Sequence, residues 1–139
     1  MNFSKLIATC TVAIGLGLGI PALATAAPAA LESGSLVAGA HDTAGTVTIY
    51  KLDNGDRLVR FTDFHTSNGP DVHIYLTSAT KVNSNDDVTS GKYLDLGSLK
   101  GNIGDQNYTI PAGTNLDDYH SVSVWCARFH VNFGAAQLK

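Results

Sequence analysis

Between Ser121 and Phe133 the chain reads Ser-Val-Ser-Val-Trp-Cys-Ala-Arg-Phe-His-Val-Asn-Phe, and apolar and polar positions alternate along it. Val122, Val124 and Cys126 share one parity; Ser121, Ser123 and Trp125 share the other. A period of two is the mark of a strand with two unlike faces. After Ala127 the apolar parity changes to Phe129, Val131 and Phe133. One inserted residue has that effect in a sheet, so a β-bulge or sharp bend is expected near Ala127 and Arg128, followed by a final short strand over Phe129 to Phe133.

The same period runs through the rest of the chain. Gly34 to Ala38 reads as a short first strand, and Gly45 to Leu52 as a longer one rich in β-branched residues. Asp53-Asn-Gly-Asp56 marks a hairpin, with Asn54-Gly55 suited to the two positive-φ positions of a type I′ turn; Arg57 to Phe64 is the return strand. His65 to Pro70 is a loop closed by Gly69-Pro70. Asp71 to Thr77 alternates cleanly, with Val72, Ile74 and Leu76 on the core side and Asp71, His73, Tyr75 and Thr77 opposite. Asn83 to Gly91 reads as a polar loop, Lys92 to Leu99 and Gln106 to Ile110 as strands, and Asn115 to Tyr119 as a single helical turn. No useful stretch from Ala27 onward has a helical period of 3.6. Short strands separated by Gly, Asn, Asp and Pro turns predict an all-β protein, an antiparallel β-sandwich of about seven or eight strands.

The N-terminus departs from this pattern. Lys5 precedes an apolar run from Leu6 to Ile20, broken by Gly15, Gly17 and Gly19, and Ala24-Thr-Ala26 follows Pro21. A charged start, a short apolar region and an A-x-A site are the features of a secretory signal peptide, and the run is too short to span a membrane comfortably. Residues 1–26 are therefore expected to be removed, 27–31 to be a linker of small residues, 32–139 to form the domain, and the protein to be secreted or periplasmic. Cys10 lies inside the apolar region, which excludes lipidation there.

Composition changes this picture in two ways. The net charge of −3 and the lack of a basic run argue against nucleic acid as a partner, and the chain from Ala27 onward contains no membrane span. Of the two cysteines, only Cys126 lies beyond the cleavage site, so no intramolecular disulfide is available to it. A lone thiol in an oxidising compartment is buried, paired between chains, or reactive.

Cys126 is thus the candidate redox thiol or prosthetic-group ligand, and as a small apolar group in line with Val122 and Val124 it is equally a candidate for the core. A thiol at its reference pKa of about 8.5 is only a few per cent thiolate at neutral pH, so reactivity calls for a neighbouring cation. Arg128 and His130 are the cations nearest in sequence. His73 would join Cys126 as a ligand only by lying across a neighbouring strand. The five histidines are dispersed and show no zinc-type spacing. Asp71, after Gly69-Pro70, is placed either to orient His73 or to bind nearby backbone amides. Asp86-Asp87 lacks the calcium-loop pattern and reads as solvated. No G-x-S-x-G elbow supports a hydrolase, and no helix follows Gly97, Gly101 and Gly104 to make a phosphate site.

Four ordered blocks carry a resemblance. Phe64-His-Thr-Ser-Asn-Gly-Pro-Asp-Val-His-Ile-Tyr-Leu76, Leu96-Gly-Ser-Leu-Lys-Gly101, Gly104-Asp-Gln-Asn-Tyr-Thr-Ile-Pro111 and Ser121-Val-Ser-Val-Trp-Cys126, with Phe129 and Phe133 to Leu138 beyond them, resemble the DM-thirteen domain, an extracellular module. The resemblance implies a β-rich fold and an electron-transfer role centred on Cys126, with a redox partner protein. Gly69, Pro70, Asp71 and Trp125 belong to its motifs. Because the domain occurs in animals beside haem-binding DOMON domains, the resemblance also raises haem as a cofactor. Against it, C-x-x-C-H attachment needs a second cysteine, and the one methionine, Met1, leaves with the signal peptide; axial ligation falls to Cys or His alone. The alternative is a binding or structural module that displays loops 65–70 and 83–91 around a buried Cys126. The intact mass of exported protein should correspond to a chain beginning at Ala27; a retained N-terminus would instead leave a membrane-anchored product.

Overall fold

The computed structural model describes residues 27–139, together with Gly17 and Gly19; the expected signal peptide otherwise lies outside the described residues. Eight antiparallel strands make one nearly closed sheet: β1 (Ala29–Ala38), β2 (Ala44–Lys51), β3 (Arg57–His65), β4 (Val72–Thr77), β5 (Tyr93–Ser98), β6 (Gln106–Ile110), β7 (Ser121–Cys126) and β8 (Val131–Gln137). Their order is β5-β4-β7-β8-β1-β2-β3-β6. Strand β1 changes partner midway. Its first part, Ala29 to Ser35, pairs with β2, and Leu36 to Ala38 pair with β8. The two halves of the sheet meet over a shared core that includes Val47, Ile49, Val59 and Phe61 from one side and Ile74, Leu76, Val122 and Val124 from the other. The all-β fold expected from the alternation is therefore the one observed. Strand β1 starts inside the segment read as a linker, because Ala29 and Ala30 already pair with Lys51 and Tyr50.

Three local readings change. The β2–β3 turn is not type I′: Gly55 has φ 89°, but Asn54 does not enter the positive-φ region. Asn54 instead uses its side-chain oxygen to accept the Asp56 N–H at 2.9 Å, and the Gly55 N–H reaches the Leu52 carbonyl. One left-handed glycine is enough for this longer turn. Second, of the bulge or sharp bend expected near Ala127 and Arg128 the structure has the bend, since Ala127 to His130 form the turn of the β7–β8 hairpin, and the last strand begins at Val131 rather than Phe129. The bulge is on β8: Val124 faces Gly134 while Trp125 faces Asn132, which leaves Phe133 as the extra residue. Phe133 points into the core at 3% exposure, whereas Phe129, on the turn, is 64% exposed.

Third, the polar stretch 83–91 contains a helical turn, α1 (Asn85–Thr89). Ser84 and Asp87 have the spacing of a capping box, and the Asp87 carboxylate accepts the N–H groups of Asn83 at 2.8 Å and Ser84 at 2.9 Å. Those bonds hold the Asp87 carboxyl below the usual carboxylate range. The turn buries Val88 completely. It is tied down where Thr77 Oγ1 donates to the Val88 carbonyl and the Asn132 N–H donates to Asn85 Oδ1. Leu116–Asp118 form the single 3₁₀ turn expected near Asn115.

Val72, Ile74 and Leu76 face the core, at 7%, 0% and 0% exposure. Leu76→Ala should cost about 2–5 kcal/mol of stability, as removal of a fully buried leucine side chain does. Urea unfolding of the variant measures it, and a loss below about 0.5 kcal/mol would place Leu76 outside the cooperative core.

Candidate functional site

The pairing of β4 with β7 arranges the candidate residues. Val72 faces Cys126, His73 faces Trp125, Ile74 faces Val124 and Tyr75 faces Ser123. Residues directly opposite in an antiparallel pair point to the same side of the sheet, and their sequence neighbours point to the other. Cys126 thus projects inward with Val72, Val122 and Val124, while His73, Tyr75 and Trp125 project outward. All six residues of β7 are buried, because both faces are covered: the main core lies beneath, and α1 with its flanking loops lies above. On the outer side Ser121 Oγ donates to the Ala79 carbonyl at 2.7 Å, and Ser123 Oγ donates to Asn132 Oδ1 at 2.7 Å. Both hydroxyls are therefore satisfied despite burial.

Cys126 is 1% exposed and forms no disulfide among the described residues. It lies within the inner cluster, facing Val72 on β4 and Val131 on β8. His130 and Arg128, the cations nearest in sequence, turn elsewhere. His130 sits on the hairpin turn with φ 55° and stacks on Trp125, with ring centroids 6.1 Å apart. The Arg128 guanidinium lies 5.7 Å from the centroid of Phe129. The turn places both side chains against aromatic rings.

His73 is one residue out of phase with Cys126 and lies on the other face of the sheet, so the two do not converge as ligands. It is clamped between carboxylates: Nε2 is 2.8 Å from Asp71 Oδ1, and Nδ1 is 3.0 Å from Asp95 Oδ1. Asp71 therefore orients His73. Two local features allow the clamp. The Gly69-Pro70 loop passes so close to the core that a side chain at Gly69 would meet the Phe133 ring at 2.8 Å, which presses the chain down just before Asp71. Across the strand pair, His73 faces Ser98 while Tyr75 faces Asp95, so β5 carries an extra residue. Gly97, at φ 114°, supplies that irregular backbone, and its N–H donates to Asp95 Oδ1 at 2.8 Å. The bulge aims the Asp95 carboxylate along the sheet toward the imidazole.

Burial alone would lower the His73 pKa, but the hydrogen bonds to Asp95 and Asp71 and the charges of both carboxylates outweigh it and raise the value above 6.5. The imidazolium, with two N–H donors, is the form that satisfies both partners. No sequence spacing announced Asp95, since only the strand pairing brings it to His73. Above the clamp, Tyr75 stacks on Tyr93 with centroids 5.4 Å apart and 3° between planes, and lies 6.0 Å from Trp125. Tyr75, Val88 and Trp125 form a second buried cluster with Val82 and Ala127 packed on it.

Neither expected donor fits haem. Cys126 is 1% exposed inside the core cluster, and both His73 nitrogens are engaged by carboxylates. Among the described residues, no three His, Cys, Asp or Glu side chains form a metal-holding group, and no helix is long and apolar enough to cross a membrane.

An all-β module with one thiol among the described residues, sealed beneath an aromatic and acid-flanked outer face, is the class these observations define. The chain belongs to the electron-transfer DM13 family, whose model matches residues 35–138. No curated protein matches the chain, and no solved structure does.

The clamp makes stability depend on pH. Because folding raises the His73 pKa, the contribution is fully present below the unfolded value of about 6.5 and is lost as pH rises through the higher folded value. Wild-type protein should therefore lose unfolding free energy across the window that begins near 6.5 and extends upward, and His73→Gln should flatten the profile there. Urea unfolding at a series of pH values measures both; an unchanged slope in the variant would assign the titration to another group.

Proposed function

We propose that this chain is an exported electron-transfer module that passes single electrons through the β4–β7 region, with Cys126 as its redox centre. The observation that carries the reading is the family match across residues 35–138. The burial of Cys126 shapes the chemistry: thiol–disulfide exchange needs direct attack on or by an accessible sulfur, and a thiol 1% exposed offers no such approach in the folded state. Exchange with a redox partner protein would therefore proceed through the protein rather than by sulfur-to-sulfur contact. Export follows from the N-terminal pattern of Lys5, the apolar run and Ala24-Thr-Ala26.

The enclosure of Cys126 among Val72, Val122 and Val124 also supports a second reading, in which the cysteine is a core residue of a non-redox binding or structural module. The two readings part on one variant. Cys126→Ser should lower stability by about 1–3 kcal/mol in either case, since it buries a hydroxyl in an apolar site. Under electron transfer it also abolishes the signal in a mediated redox titration while circular dichroism shows the fold retained. A variant that is only less stable, with the wild-type titration unchanged, would overturn the redox role of Cys126.

A further inference from the structure

We propose that Trp125, Tyr75 and Tyr93 form a one-electron relay across the outer face of the sheet, from the β7–β8 hairpin to the exposed edge at β5. The inference rests on the electron-transfer reading and supplies a path along the outer face of the sheet, opposite the face that buries Cys126. Indole and phenol are among the side chains that give up a single electron most readily, and electronic coupling falls steeply with the gap between rings. Here the rings are in contact: the centroids are 6.0 Å apart from Trp125 to Tyr75 and 5.4 Å apart from Tyr75 to Tyr93, the latter pair stacked in parallel. The ladder runs from closed to open, with exposures of 2% at Trp125, 9% at Tyr75 and 49% at Tyr93. At its other end His130 covers the indole from the exposed hairpin turn.

The surrounding charges favour the same direction. Burial first, then the carboxylates of Asp95 and Asp71 together with Tyr93, hold the Tyr75 phenol protonated above its usual range. Tyr75 therefore rests as the neutral phenol, and the clamp beside it, two carboxylates against one imidazolium, carries a net negative charge that lowers the cost of a positive hole on the ring. The indole cation radical is a stronger oxidant than the tyrosyl radical at neutral pH, so a hole created at Trp125 moves outward.

The step balances as follows. A high-potential one-electron oxidant at the hairpin takes one electron from Trp125. An electron from Tyr93 crosses Tyr75 and refills the indole, and the phenolic proton of exposed Tyr93 passes to water. A one-electron donor at the β5 edge reduces the tyrosyl radical, which takes a proton back from water. Over the cycle one electron moves from donor to oxidant, and no covalent bond is gained or lost.

The test supplies its own oxidant: a ruthenium polypyridyl photosensitiser coupled to the exposed turn at Phe129→Cys, triggered by flash-quench. Because the chain has one tryptophan, the indole radical absorption reports Trp125 alone, and Trp125→Phe must abolish it. In the otherwise native ladder the indole radical should give way to a tyrosyl radical in the same molecule. Tyr75→Phe, which keeps the ring and the packing, should slow that decay by an order of magnitude or more, and Tyr93→Phe should suppress the tyrosyl product. Equal decay rates with Tyr or Phe at 75, or no indole radical at all, would overturn the relay. Relay failure with a Cys126-dependent redox titration intact would leave the electron-transfer reading standing on another path. A conducting ladder in a protein silent in that titration would overturn the reading and keep the relay.

Discussion

The register between β4 and β7 is the constraint on which the rest of this structure depends. Val72 faces Cys126 and His73 faces Trp125. Because side chains alternate, a slip of one residue would exchange the two faces completely: the thiol would move outward, and the indole and imidazole would be driven into the apolar core. The register is held by what each face buries. Inside, Ile74, Leu76, Val122 and Val124 are wholly enclosed. Outside, Trp125 needs a cover of its own, which α1 supplies with Val88. Strand β7 is therefore buried on both sides, which is unusual for an antiparallel strand, since these commonly keep one face wet.

That double burial separates residues that the chain sets side by side. Trp125 and Cys126 are covalent neighbours, yet one belongs to the outer cluster and the other to the main core. The inner face is apolar and closed to reagents. The outer face holds the titrating groups and the contacting rings.

The Asp71–His73–Asp95 clamp shows how a polar group is kept on such a face. Each imidazole nitrogen has a carboxylate, and Asp95 is in turn fixed by the Gly97 N–H. The bulge at Gly97 and the close approach at Gly69 are backbone devices for aiming these side chains. The hairpin turn works in the same way at the opposite end, where the left-handed His130 lays its ring over Trp125 rather than toward Cys126.

Much of the fold was legible in the sequence because a strand's period of two depends only on local geometry. The inward faces of Asp71–Thr77 and Ser121–Cys126 and the placement of Cys126 with Val122 and Val124 all follow from alternation. The helical turn Asn85–Thr89 was not read, because the polar character of 83–91 masked a turn that buries only Val88. Pairing partners were not legible. Whether His73 meets Cys126 or turns its back on it is decided by a single residue of register between segments some fifty positions apart, and alternation within each strand is the same in either case. Asp95 joins His73 only through a bulge on a neighbouring strand, and Tyr93, Tyr75 and Trp125 come from three different strands. The sequence by itself determined which residues face together along each strand; the tertiary structure decided which faces meet, because cross-strand register is set by the burial of the whole core and not by any one segment.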